Sequence, residues 1–232
     1  ELRIAAILSG DKGLIDIFKD GQDVHEGVAA RVFNVEPKEV TGNMRRHAKV
    51  INFGILYGMG VNALKANLGE EATREEAQEF MNAYFNTFTR LAEYLEETKE
   101  FARQNGYTQT MFGRKRHFPG ITSGAPFIRA AAERMAINAP VQGTAADVMR
   151  LAMIDVADYL KQEKLEKKVQ MLLQVHDELV FEIKESELKK VVPRLKQIME
   201  DVLLQRKVKN QGVPIVADVK VGNDWLNLEP YD

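Results

Sequence analysis

Apolar positions recur at helical spacing along most of this chain, and only a few stretches carry the pattern of strands. The opening run, residues 2–8, suits either a strand end or a helix start. Residues 11–20 carry Leu14, Ile15, Ile17 and Phe18 before Asp20-Gly21 closes a short helix. Asp23 can cap the next helix, with Val24, Val28 and Val32 on one face. Pro37 then opens another short one. Residues 41–58 read as a helix capped by Thr41 or Asn43. A longer helical stretch covers 73–104, with an interruption near Phe88 and a stop at Asn105-Gly106. The β-prone residues 107–112 lead to a turn at Gly113.

Helical spacing returns from Phe127 to about Lys161, where Pro140 and Gly143 allow a kink or break. Residues 171–183 read as a buried β-hairpin whose middle is interrupted by His176, Asp177 and Glu178. A helix from Glu185 to about Leu204 follows despite Pro193. Residues 213–221 suit a closing strand, and Asn223-Asp224-Trp225 begins an irregular tail. The class is α+β, with helices dominating the middle and few, scattered strands.

Composition narrows this picture only modestly. The 232 residues are enough for one large domain or two smaller ones, and 45% hydrophobic with 28% charged is an ordinary globular balance. The absence of cysteine excludes a disulfide framework and thiolate chemistry. No apolar run approaches a membrane span, so no membrane partner is expected. A formal net charge of −2 argues against a uniformly basic nucleic-acid coat. It leaves DNA binding open, because the local clusters Arg45-Arg46-His47-Ala48-Lys49 and Arg114-Lys115-Arg116-His117 can attract phosphates.

Three patterns carry candidate chemistry. The first is Val175-His176-Asp177-Glu178-Leu179-Val180, where an aspartate facing a cleft could bind a hard cation such as Mg2+ through oxygen; taken alone, a solvated polar turn is the plainer reading. The second is the recurrence of Arg45, Lys49, Phe53 and Tyr57 at every fourth residue. Four residues turn a helix roughly 40° past a full circle, so the four make one slowly winding stripe. Two cations near a helix start can hold a polyphosphate, and aromatics beyond them can meet a sugar and a base. The plain alternative is a surface helix with ordinary salt bridges and its Phe and Tyr in the core. The third pattern is Arg134, Asn138 and Gln142, again four apart, suited either to acceptors in a duplex groove or to hydrogen bonds between helices.

Together these segments resemble family A DNA polymerases. RRHAKVINFGILYGMG is similar to the motif B helix, R-x-x-x-K-x-x-x-F-x-x-x-Y-G, and QVHDELVFE to motif C. The opening ELR is similar to the end of motif A, D-Y-S-Q-I-E-L-R, and AERMAINAPVQGTAAD to the palm helix between motifs B and C. Order and spacing agree over the whole chain. The resemblance implies the fingers and palm of a right-hand polymerase, with helical fingers and a small antiparallel palm sheet. Residues 1–24 would be a palm segment, 25–118 the fingers and 119–232 the palm.

The implied activity is template-directed DNA synthesis on primer–template DNA from deoxynucleoside triphosphates, with two Mg2+ ions, in the cytoplasm at the bacterial nucleoid. Asp177 would hold metal, with Glu178 in support and His176 near the primer terminus. Arg45 and Lys49 would bind the triphosphate with help from His25, and Lys49 could donate a proton to the leaving pyrophosphate. Phe53 would pack on the sugar and Tyr57 would lie by the templating position. Glu1 would block a ribose 2′-hydroxyl, and Arg134, Asn138 and Gln142 would lie near the duplex. The family's second metal-holding aspartate belongs to the D-Y-S-Q-I portion of motif A. The chain alone is therefore expected to be inactive and to need an N-terminal polymerase segment, in the same protein or as a separate chain; its start at Glu1 rather than Met fits that expectation. A phage-type single-subunit RNA polymerase, with a similar motif B and an HD in motif C, is a rival reading. A non-catalytic DNA-binding fragment is another.

Overall fold

A computed structural model describes residues 1–231. They form two compact units, residues 1–145 with 211–213, and residues 146–210 with 214–231. Both are α+β: helices carry most of the chain, and each of the three sheets is a two-stranded antiparallel pair.

The first unit opens with α1 (Leu2–Ser9), so the ambiguous opening run is helical. Leu2, Ile4, Ala5, Ala6 and Ile7 are buried, more than one face's worth, which is why periodicity could not assign them. Asp11 caps α2 (Lys12–Lys19), and Asp23 caps α3 (Val24–Phe33) by accepting from the Glu26 N–H at 2.9 Å. Pro37–Glu39 is a single 3-10 turn. Thr41 caps α4 (Gly42–Leu56), whose inner face packs against α3. The short α5 (Val61–Leu68) has no counterpart among the sequence expectations.

The interruption at Phe88 falls between α6 (Arg74–Thr87) and α7 (Thr89–Asn105). The Phe88 side chain offers α7 no cap. Asp11 supplies one from 80 residues away: its Oδ2 accepts from the Leu91 N–H at 3.2 Å while Oδ1 accepts from Leu14 N–H at 3.1 Å. One buried carboxylate thus satisfies orphan donors at two helix starts.

β1 (Tyr107–Gln109) and β2 (Lys115–His117) pair around Gly113. They lie against the first part of α8 (Pro126–Gln162), which runs without a break through Pro140 and Gly143. Pro140 has no N–H to give the Ala136 carbonyl. The buried Thr108 hydroxyl donates to that carbonyl instead, at 3.3 Å. Two further ties follow along the helix, Met111 N–H to Thr144 Oγ1 at 3.0 Å and Arg114 Nη2 to the Gly143 carbonyl at 2.9 Å. The helix survives its proline because a strand distant in sequence meets the freed carbonyl.

In the second unit, β3 (Val169–Val175) and β4 (Glu178–Ile183) form the motif C hairpin. Its base joins an apolar cluster of Val156, Leu160, Leu165, Val191, Leu195 and Ile198 from the end of α8, the following loop and α9 (Leu188–Glu200). Val169, Phe181 and Ile183 pack there. Farther along, the hairpin is not the buried one that its apolar run suggests: Leu172 and Leu173 are about half exposed, as are most residues to the tip. Two strands cannot cover both of their own faces, and among the described residues no third strand joins this pair.

Asp201 separates α9 from a last turn, α10 (Val202–Gln205). The expected strand over 213–221 also fails to form. Only β5 (Lys220–Val221) pairs, with β6 (Glu229–Pro230). Pro214 has no N–H to offer a ladder, and the Ala217 N–H goes to the Glu200 carboxylate at 3.1 Å rather than to a neighbouring strand. The tail from Asn223 is irregular, wound around the Asp224 carboxylate, which accepts from the Leu226 and Asn227 N–H groups.

Candidate active site

Helix α4 divides cleanly into two faces. Ala48, Ile51, Asn52, Ile55 and Leu56 are buried, whereas Arg45, Lys49, Phe53 and Tyr57 are exposed. Phe53 and Tyr57 each leave 48% of their surface open, which rules out the reading that placed them in the core. Two half-open aromatics on successive turns, after two cations, form a surface that can stack a planar group and hold an anion at its helix-start end.

The stripe is held from several sides. Arg45 makes a two-point pair with Asp23, Nη2 to Oδ2 at 2.7 Å and Nε to Oδ1 at 3.1 Å. The Arg45 hydrogen bond holds the Asp23 carboxyl below its usual range, and burial only partly offsets it. His25, in the first turn of α3, lies 5.8 Å from Phe53 between ring centroids. Its Nδ1 is 3.1 Å from Nδ2 of the fully buried Asn52. Burial pushes the imidazole below its ordinary value; the Asp23 charge opposes this, and Arg45 and Lys49 add to it. Tyr57 donates its hydroxyl to Glu1 Oε2 at 3.1 Å, and burial first, then the Glu1 charge, raises the phenol.

The turn after Tyr57 needs Gly58. Its φ is +68°, and a Cβ there would lie 2.7 Å from Cγ of Arg134. The Arg134 stem therefore lies directly on the end of α4, while the residue as a whole stays exposed. Asn138, one turn on in α8, is buried and donates to the Leu56 carbonyl at 3.2 Å, so it makes the helix-to-helix bond that was one of its two readings. Gln142 is exposed. Glu1, His25, Arg45, Lys49, Phe53, Tyr57, Arg134 and Asn138 all belong to the first unit.

The hairpin tip of the second unit is a different kind of place. His176 has φ +52°, a left-handed conformation in which histidine is more common than most residues but which still costs energy. Gln174 Nε2 donates to the His176 carbonyl at 2.6 Å and closes the turn. His176, Asp177 and Glu178 are all exposed. The two carboxylates are hard oxygen donors of the kind Mg2+ takes. In number they are an incomplete set, because no group of three or more His, Cys, Asp or Glu residues gathers as a metal cradle among the described residues.

These features match a known family over nearly all of the chain. The model of DNA polymerase family A matches residues 1–227. The chain belongs to DNA polymerase family A. It is 43% identical to the thermostable DNA polymerase I of Thermus aquaticus over 229 residues, 99% of this chain and 26% of that protein. With DNA polymerase I of Pseudomonas aeruginosa it shares 42% over 225 residues, 97% of this chain and 24% of that one. The chain thus spans about a quarter of the length of these relatives. A solved structure, the POL domain of Pol1 from M. smegmatis in complex with DNA primer–template and dNTP, superposes with a TM-score of 0.81 at 41% identity, covering 87% of this chain and 35% of that one. None of these relatives is a single-subunit RNA polymerase.

The spacing that marks the cations and aromatics of the stripe does not mark Asp23 and Asn52, which contact the stripe and His25. The sequence marks Asp23 only as a helix cap, and its second role across 22 residues has no local signal. Asn52 did leave a trace, as the lone polar residue among the buried positions of α4.

Proposed function

We propose that this chain supplies the nucleotide-binding helix and part of the metal-binding tip of a DNA-directed DNA polymerase. The single observation carrying the reading is the exposed stripe Arg45–Lys49–Phe53–Tyr57 on a helix whose opposite face is buried. Arg45 and Lys49 bind the triphosphate of an incoming deoxynucleotide, with His25 assisting. Phe53 lies against its sugar and Tyr57 beside the templating base. Glu1, which accepts a hydrogen bond from Tyr57, serves in this reading to exclude a ribose 2′-hydroxyl. The triphosphate either displaces Asp23 from Arg45 or shares the guanidinium, which has further donors to offer.

In the reaction the primer 3′-hydroxyl gives up its proton to water as its oxygen attacks the α-phosphate, the bond to the β-phosphate breaks, and Lys49 gives a proton to the departing pyrophosphate. Asp177, supported by Glu178, would hold Mg2+, which when bound stabilises charge on the attacking and leaving oxygens. Two such ions need more carboxylates than the tip provides. His176 lies near the primer end, and Arg134, Asn138 and Gln142 line the duplex side, Asn138 by fixing the end of α4. Functionally, residues 1–24 and 119–232 act as palm and 25–118 as fingers. The partners are primer–template DNA and the remaining polymerase segment, and the setting is the bacterial nucleoid. No helix among the described residues is long and apolar enough to cross a membrane.

The test is primer extension by this chain combined with the remaining polymerase-domain residues. Template-directed addition of deoxynucleotides, dependent on Mg2+, is the expected result. Tight duplex binding without any extension would replace this reading with that of a non-catalytic DNA-binding fragment.

A further inference from the structure

His25 has two ring nitrogens, and only one can face a ligand with a proton while the ring stays neutral. The neighbour that decides is Asn52, fully buried on the inner face of α4. Its Nδ2, which can only donate, lies 3.1 Å from His25 Nδ1. Nδ1 must then accept, which places the proton of the neutral ring on Nε2. The Asn52 Oδ1 has no partner of its own. A buried amide with half its capacity unused carries an energetic cost, and here the half that is used is the one that orients the imidazole.

The rest of the surroundings agree. Phe53 lies on one side of the ring, and the charged groups that act on it are Asp23, Arg45 and Lys49. Two of these three are the cations of the proposed triphosphate site. A neutral ring offering Nε2–H adds a donor beside them without adding a third adjacent positive charge. Turning the Asn52 amide by half a turn would put the proton on Nδ1 and withdraw that donor.

We propose that Asn52 is a positioning residue for nucleotide binding, whose buried amide holds His25 Nδ1 as an acceptor so that Nε2–H is presented to a phosphate oxygen beside Arg45 and Lys49. The inference rests on the triphosphate reading of that cluster, and the experiment separates the two. Nitrogen-15 spectra of His25 in the full chain report the tautomer directly, and inorganic tripolyphosphate, titrated by calorimetry, serves as the ligand probe. In the unaltered chain a single Nε2–H tautomer is expected. Asn52→Leu, close in size, should give mixed tautomers and weaken tripolyphosphate binding about tenfold, the scale of one charge-assisted hydrogen bond. His25→Ala should weaken it by a similar factor, and the double variant should lose no more than either alone.

Asn52→Asp provides the check if the leucine variant does not fold: a carboxylate at the same place can only accept and should move the proton to Nδ1. A purely space-filling role for Asn52 would not move it. The proposal is overturned if His25 carries its proton on Nδ1 in the unaltered chain, if Asn52→Asp leaves the tautomer as it was, or if the losses from Asn52→Leu and His25→Ala simply add. If His25→Ala leaves tripolyphosphate binding unchanged, the triphosphate reading fails instead, and the spectra still judge the pairing of Asn52 with His25.

Discussion

Helix α4 and the β3–β4 hairpin carry the two halves of the proposed chemistry, and the fold treats them in opposite ways. Three of the four side chains on the open face of α4 have partners: Arg45 pairs with Asp23, Tyr57 with Glu1, and Phe53 lies beside a histidine that meets Asn52. The hairpin tip differs. Asp177 and Glu178 are adjacent and exposed, and Glu178 is tied into the β3–β4 ladder opposite Val175 through its backbone, not its carboxylate. A polyphosphate and a base must be met in fixed orientation, so donors and rings benefit from being positioned beforehand. A hard cation imposes its own geometry, and carboxylates left free of protein cations can give it their full charge.

The strongest challenge to this contrast is Asp177→Asn. Incorporation by the assembled polymerase should fall by about three orders of magnitude, the scale of a lost metal anchor. Thermal stability should stay within about 0.5 kcal/mol, because the tip is exposed and the change relieves like-charge repulsion. A marked drop in melting temperature would mean that the carboxylate is held by the fold after all.

On α4 the two faces should separate stability from function. Ile51→Ala, on the buried face, should cost about 2–5 kcal/mol in urea unfolding. Phe53→Ala, two residues on and half exposed, should cost less than about 1 kcal/mol while weakening nucleotide binding. Equal stability losses at both positions would show that the open face is covered in solution. Lys49→Ala should reduce single-turnover incorporation about a hundredfold, as expected for loss of a proton donor and phosphate contact, again with little effect on unfolding. A near-normal rate would remove Lys49 from the triphosphate site.

The smallest effect concerns Asp23. Its carboxyl titrates below the usual aspartate range because of Arg45, so its contribution to stability is present above about pH 4 and is lost as pH falls further. Both side chains are more than a third exposed, and solvent screening limits the contribution to under about 1 kcal/mol. Asp23→Asn keeps a good helix cap but loses the charge. It should flatten this acid limb of the stability profile, and added salt should do the same to the unaltered chain. An unchanged limb would show that the pair does not hold Arg45 in solution.

Much of this molecule was legible in the chain itself. Local rules set the helix starts at Asp11, Asp23, Thr41 and Thr73, because each depends on a side chain within a few residues of the backbone it satisfies. The four-residue spacing of Arg45, Lys49, Phe53 and Tyr57 sufficed to put them on one stripe. Whether that stripe faced inward could not be read from spacing, since burial depends on what the other elements cover.

At Pro140 and over residues 213–221 a group distant in sequence takes over a backbone bond. The Thr108 hydroxyl keeps α8 whole past Pro140, and the Glu200 carboxylate takes the Ala217 N–H that a strand would have used. The sequence by itself determined the family, the class and the order of the chemical groups, because motif residues and periodicity are local properties. Only the tertiary structure decided that Asp11 also caps α7, that Asp23 holds Arg45 and that Asn52 orients His25. Each of these is a hydrogen bond between residues 22 to 80 apart in the chain, and no local pattern specifies which distant donor a buried acceptor will meet.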